Sequence, residues 1–154
     1  MPPRIDILAV GKLGADMRPA FEHYQHLVSG LARLGVREVR ETALRGRSPG
    51  EVLRDEGRRL VADLPKGGTT VVLEVGGRRP DSEAFAACLQ TWTERGTVTF
   101  VLGGSLGLAA EVVTAADESL SLSALTLPHQ LARVVLAEQL FRALKIARGE
   151  TYHH

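Results

Sequence analysis

Cysteine is almost absent from this chain. Cys88 stands alone among 154 residues, so no internal disulfide can form and nothing points to an oxidising compartment. Long hydrophobic runs are missing too, and no uninterrupted apolar stretch approaches the ~20 residues that a bilayer span requires. The N-terminal run in MPPRIDILAVGK is broken by Asp6 and is too short for a signal peptide. There is no excess of charge of one sign either: the formal net charge is +1, which gives no bulk electrostatic case for a polyanion partner. No linker, low-complexity stretch or repeat divides the chain. These absences leave a soluble, cytoplasmic, single-domain protein as the expectation.

The composition, 44% apolar and 24% charged, suits one compact core at this length. Charge is unevenly spread. Residues 1–80 carry a net +4, residues 81–120 a net −5 and residues 121–154 a net +2. Basic ends around an acidic middle fit a solvated mixed surface better than a dedicated polyanion face. Arginine outnumbers lysine 16 to 3, as compatible with codon usage as with phosphate recognition.

Short apolar runs alternate with amphipathic stretches along the chain. Residues 5–10 read as a buried first strand, and residues 19–34 as a helix stopped by Gly35. Residues 36–44 alternate loosely as a second strand, and the polar, basic RGRSPG segment at 45–50 reads as a mobile loop. A helix opened by Ser48 or Pro49 runs to Leu64. Residues 69–75 and 97–102 are apolar strands, and a helix capped by Asp81 or Ser82 lies between them. A helix over 108–116, a short strand over 119–122 and a long helix over 128–147 complete the order. This alternation predicts an α/β fold: an open, mostly parallel sheet with helices on both faces, which binds ligands at the carboxyl ends of its strands.

Four places could carry chemistry. Gly103-Gly104-Ser105-Leu106-Gly107 follows a buried strand, where glycines allow close ligand approach; it fits neither the dinucleotide fingerprint nor a P-loop, and an ordinary tight turn explains it equally well. The Ser/Leu stretch 119–128 offers mainly backbone groups and apolar walls, suited to a flat uncharged ring; its plainer explanation is a strand before a helix capped near Thr126. The last helix has apolar residues on more than one face, which suggests a homodimer, although burial within one protomer would also explain it. Tyr152-His153-His154 could stack on a base and handle a proton; a frayed terminus, or a tag remnant at His154, is the plainer reading. Adjacent histidines lack the spacing of a zinc pair, so no metal is assigned. His23 and His26 read as surface residues, and Cys88 as a buried small hydrophobe.

Taken together, VLGGSLGL at 101–108, SLSALTLPHQLARVVLAEQLFRA at 121–143 and RGETYHH at 148–154 resemble the ribosomal RNA large subunit methyltransferase H family, knotted enzymes of the SPOUT class. IDILAVGKL at 5–13 and VVLEVGGR at 71–78 match in place, so the resemblance spans the chain. The LTLPH-x-x-x-R-V-x-x-x-E-Q-x-x-R-A block is its specific part. The resemblance implies a C-terminal trefoil knot, a homodimer and S-adenosylmethionine as methyl donor. It implies N3 of pseudouridine 1915 in helix 69 of 23S rRNA as acceptor, on the assembled 70S ribosome, with no DNA or membrane partner. Carried over by position, the cofactor pocket involves Leu73, Gly103, Gly104, Leu122, Ser123, Ala124, Leu125, Thr126 and Leu127. His154 stands where Arg or Lys often ends the family's tail.

The sulfonium methyl is already activated, so the protein has chiefly to align donor and acceptor and to manage the N3 proton. Arg142, Tyr152 and His153 are the candidate catalytic residues, supplied across the dimer, with His153 as base. The rival readings are a SPOUT enzyme acting on transfer RNA and a noncatalytic ribosome-binding factor of the same fold.

Overall fold

The computed structural model describes residues 1–152. Its elements run β1 (Arg4–Val10), α1 (Arg18–Ser29), β2 (Arg33–Val39), α2 (Pro49–Asp63), β3 (Thr69–Arg78), α3 (Ser82–Glu94), β4 (Val98–Leu102), α4 (Ala110–Ala115), β5 (Glu118–Leu120) and α5 (His129–Ala147). The strands form one sheet in the order β2-β1-β4-β3-β5, and every pairing is parallel. Parallel strands need crossovers, and here the helices supply them on both faces. α1, α3 and α5 cover one face over a core that includes Ile7, Phe100, Leu89 and Leu140. α2 and α4 cover the other over Leu8, Val72, Val101 and Val112. The central strand β4 is buried at all five positions, which explains its unbroken run of apolar and β-branched residues.

The α/β sheet with helices on both faces matches the sequence expectation, and several boundaries shift for identifiable reasons. The first helix ends at Gly30, not Gly35. Gly35 instead lies inside β2, paired with Asp6, whose Oδ1 sits 2.6 Å from where a Cβ would project. β2 therefore starts at Arg33 and is over before residues 40–44. α2 begins as expected, with a capping box in which Ser48 and Glu51 satisfy each other's backbone amides. Asp81 caps α3 by accepting from the Ala84 amide at 2.8 Å. Cys88 is half-buried rather than buried, and its Sγ accepts a hydrogen bond from Arg78 Nη2 at 3.3 Å.

α5 resolves the apolar excess noted in its sequence. It packs against both α1 and α3, so apolar residues on two of its sides are covered within one protomer. Its buried set also includes Arg133, only 2% exposed. That guanidinium donates to Glu38 Oε2 at 2.5 Å and to the carbonyls of Gly11 and Val10 at 2.9 and 3.3 Å. It thus ties the start of α5 to the carboxyl ends of β1 and β2. Gln130 adds a second tie, accepting from the Gly14 amide at 2.8 Å. Among the described residues, no helix is long and apolar enough to cross a membrane.

Candidate active site

The helices after β3 and β4 leave on opposite faces, α3 toward the face of α1 and α5 and α4 toward that of α2. Adjacent parallel strands whose connections diverge this way open a crevice at their carboxyl ends. A cavity of about 610 Å³ lies there, within the range of small-molecule sites. Leu73, Leu102 and Leu120 form its floor at the ends of β3, β4 and β5, and the first turn of α5 closes one side.

Each wall has a local cause. β3 continues past its partner: Leu73 and Arg78 both pair with Leu120, so residues 74–77 bulge out of the ladder. The bulge places Glu74 and Val75 on the cavity wall and leaves Val75 exposed. After β4 the chain turns tightly, with the Gly107 amide donating to the Gly104 carbonyl at 3.0 Å and Gly107 at φ +84°. Gly103 packs so closely beneath this turn that a Cβ would lie 2.2 Å from the Gly107 oxygen. Glycine there is a steric requirement. Behind Gly104 stands Glu56 of α2, only 5% exposed. Its Oε2 accepts from the Thr42 amide at 3.0 Å, while Oε1 faces Gly104 and has no partner among the described residues.

Serine side chains shape the third wall. Ser121 Oγ donates to the Ser123 carbonyl at 2.9 Å, and Ser123 Oγ accepts from the Leu125 amide at 2.9 Å. These local bonds hold the 121–125 loop in its turn. Among the described residues, the amides of Leu122, Thr126 and Leu127 donate to no other protein group. α5 has Pro128 at its N-cap with no side-chain cap, so Thr126 does not play the role suggested for it. Its first-turn amides are therefore open beside the cavity, where they favour negative charge. The lining contains one carboxylate, Glu74, and one imidazole, His129.

Of the nine cofactor residues expected from sequence, eight line this cavity; Ala124 is exposed at the loop surface and does not. Ser105, from the glycine segment singled out in sequence, also lines it; Glu74 and His129 belong to the lining and were not foreseen. Their positions depend on the bulge and on the helix entry, which periodicity does not report. The residues fit S-adenosylmethionine. Leucine walls and open backbone amides suit its adenine, Glu74 suits its cationic end, and the open first turn of α5 suits its carboxylate.

Arg142 and Tyr152 form a second cluster. Arg142 Nη2 donates to Glu138 Oε2 at 2.7 Å, and Nη1 donates to the Tyr152 carbonyl at 3.3 Å. The guanidinium carbon lies 4.9 Å from the centre of the Tyr152 ring, which also meets Phe141 edge-on at 4.8 Å. Glu150 joins Lys145 and Arg148 just before it, and those two cations hold its carboxyl below the usual range. Burial, then the Glu138 carboxylate, pushes the Tyr152 phenol above its ordinary value near 10. Arg142 lies ten residues beyond Ala132, the last cavity residue on α5, or about 15 Å of helix rise. One protomer therefore does not bring this cluster to its own cavity. His153 lies outside the described residues. Among those described, no group of side chains is arranged to hold a metal ion.

A family model described as "Predicted SPOUT methyltransferase" matches residues 3–153. The Ribosomal RNA large subunit methyltransferase H of Rubrobacter xylanophilus is 44% identical over 97% of this chain and 98% of its own. That of Acetivibrio thermocellus is 40% identical over 97% and 99%. Among solved structures, the SpoU methyltransferase AviRb of Streptomyces viridochromogenes, in complex with AdoMet, shares the fold with a TM-score of 0.52. That likeness has 15% identity and covers 98% of this chain and 60% of AviRb.

Proposed function

Because the chain belongs to the SPOUT methyltransferases, among those named ribosomal RNA large subunit methyltransferase H, we propose that it methylates 23S ribosomal RNA with S-adenosylmethionine as donor. The acceptor is N3 of pseudouridine 1915 in helix 69, on the assembled 70S ribosome in the cytoplasm. The observation that carries this reading is the crevice between β3 and β4, lined by eight residues that the resemblance implied for the cofactor.

The bound donor supplies an electrophilic methyl group on a sulfonium. Leu73, Leu122 and Leu127 would exclude water around it, and the Gly103–Gly107 turn would present main chain to it without intervening side chains. Rigid walls supply most of what this transfer requires: in-line alignment and a dry site. Transfer to N3 would break the donor's methyl–sulfur bond, its electron pair staying on sulfur as a neutral thioether, while His153 would take the N3 proton. Arg142 stabilises the negative charge that develops on the uracil ring. Tyr152 remains a neutral phenol and stacks on the base.

The 15 Å separation within one protomer makes a homodimer part of the proposal, the tail of one copy meeting the cavity of the other. The trefoil knot is part of it too. It is supported by the path of residues 121–128, which leave β5 at a sheet edge, pass the ends of β3 and β4 and enter α5 on the α1 and α3 face.

Labelled methyl transfer to 70S ribosomes lacking this modification, with free 23S rRNA and transfer RNA as controls, tests the proposal. Label on 23S rRNA only in the ribosome sample is expected. Label on transfer RNA alone would select the transfer RNA reading. No label anywhere, with ribosome binding intact and no binding of S-adenosylmethionine, would select a noncatalytic factor.

A further inference from the structure

Of the six arginines from Arg40 to Arg59, only Arg58 is ion-paired among the described residues, and Arg47 Nη1 donates to the Ala43 carbonyl at 3.0 Å. Arg59 Nη1 donates to the Arg40 carbonyl at 2.9 Å and to Thr42 Oγ1 at 2.6 Å, pinning the start of the β2–α2 loop. Glu56 holds the Thr42 amide beneath it, and the Ser48–Glu51 capping box fixes the loop's far end. Asp55 engages Arg58. Between these anchors, Arg45 and Arg47 project from the loop, and Arg54 lies one turn into α2. All three are exposed, and none has a carboxylate within ion-pair distance among the described residues. The carboxylates nearest in sequence are Glu41, Glu51, Asp55 and Glu56; the last three are engaged with Ser48, Arg58 and the Thr42 amide. Leu44, half exposed, stands among the arginines, so the loop offers an apolar surface alongside its unneutralised charge.

The parallel topology decides where that charge points. Because β2 runs parallel to β3 and β4 in one sheet, the loop leaving β2 emerges on the same edge as the Gly103–Gly107 turn and the cavity. In the order β2-β1-β4-β3, the crevice lies between two and three strand spacings from β2, about 12 Å. A nucleic acid presenting a base to the cavity would pass its backbone over this loop. A net charge of only +1 gives the molecule no general attraction for polyanions, so a local concentration at the site's edge is where contact energy can come from.

We infer that Arg45, Arg47 and Arg54 form a docking surface for the phosphate backbone of the RNA whose base enters the β3–β4 cavity. This rests on the RNA-methylating function proposed above. The contacts are to phosphates, so they position the substrate and carry no sequence information. Arginines held on a loop braced at both ends lose little order on binding, which favours such a role over a freely moving basic tail.

The test compares three full-length proteins: wild type, the triple variant Arg45→Gln, Arg47→Gln, Arg54→Gln, and the control Arg33→Gln, Lys66→Gln, Arg95→Gln. The control removes the same charge at the amino ends of β2, β3 and β4, the opposite edge of the sheet. Co-sedimentation with 70S ribosomes is measured from 50 to 200 mM salt, alongside S-adenosylmethionine binding. The loop variant is expected to bind ribosomes about tenfold more weakly at 100 mM salt, with a log–log salt slope shallower by roughly 2 to 3. The control should stay within about twofold of wild type, and all three should bind S-adenosylmethionine alike. A loop variant with wild-type affinity and slope would overturn the inference, as would equal weakening in the control. Wild type that sediments with ribosomes but transfers no methyl would refute the enzymatic reading and leave this surface standing on its own measurement. Wild type that does not sediment would overturn both.

Discussion

At the scale of single residues, steric fit and buried charge set the consequences of substitution. Gly103→Ala would place a methyl 2.2 Å from a backbone oxygen that cannot move without opening the turn. At Gly104 the nearest atoms are side chains, Val10 Cγ1 at 3.2 Å and Glu56 Oε1 at 3.3 Å, which can yield by tenths of an ångström. Calorimetric titration with S-adenosylmethionine is therefore expected to show at least tenfold weaker binding for Gly103→Ala, and a smaller loss for Gly104→Ala, since about 1.4 kcal/mol of turn strain suffices for a factor of ten. Arg133 makes a different case. Replacing it with Met leaves the Val10 and Gly11 carbonyls unpaired and Glu38 facing an apolar side chain. A destabilisation of about 2 to 4 kcal/mol in denaturant unfolding is expected, moderated because Glu38 is one-third exposed and keeps some water. Arg133 sits in an apolar helix between Ala132 and Val134, where sequence offers no hint that its partners are carbonyls on β1. Glu56 was hidden in the same way: a charged residue in a polar helix reads as solvated, and only the packing of α2 under Gly104 buries it.

Tyr152 and Glu150 give the tail a defined pH behaviour. Glu150 has a lowered pKa, so its contribution is present above the unfolded value near 4.5 and is lost as pH falls through the folded value. Tyr152 has a raised pKa, so its contribution is complete below about 10 and is lost as pH rises further. The phenol is therefore protonated throughout the neutral range and cannot act as the base there. If His153 is the base, methyl transfer should rise with pH through the histidine range, near 6.5, and reach a plateau before pH 8. A rate that keeps climbing toward pH 10 would assign the proton to a different group.

At the scale of elements, the parts that report themselves in sequence are those governed by local rules. Ser48 with Glu51, and Asp81 three residues before Ala84, mark helix starts through chemistry confined to four residues. Ser48→Ala should cost about 1 kcal/mol, read as a lower denaturation midpoint with an unchanged slope. The buried strand β4 is legible because both of its faces are covered. What sequence misplaced depends on partners far along the chain. Gly35 looked like a helix stop, and the side chain of Asp6 on the neighbouring strand makes it a strand residue. The bulge of residues 74–77 arises because β5 is only three residues long and cannot pair with all of β3. That mismatch puts Glu74 on the cavity wall, and no periodicity in VVLEVGGR announces it.

At the scale of the whole molecule, the candidate cofactor residues came from the resemblance, carried over by position, and eight of the nine meet in one cavity. The tail's distance from them was not legible in sequence. Apolar residues on several faces of α5 suggested a second subunit, and α1 and α3 cover much of that surface. The dimer we propose rests on geometry: Arg142 lies about 15 Å of helix rise beyond Ala132, the last cavity residue on α5, and a second copy would supply the missing cluster. Sedimentation equilibrium at micromolar concentration should therefore give twice the chain mass.

The most direct test of the account mixes two inactive proteins. Gly103→Ala has a weakened cavity, inactive when the donor is held well below that variant's Kd, but keeps its tail; Arg142→Ala keeps its cavity but lacks the cation proposed to stabilise the uracil. Each alone should leave methyl transfer to 70S ribosomes near background. Mixed in equal amounts and allowed to exchange subunits, they should recover about one quarter of wild-type activity, because half of the dimers are mixed and each of those has one intact site. No recovery, with subunit exchange demonstrated, would contradict the shared site and return the chemistry to residues within a single protomer.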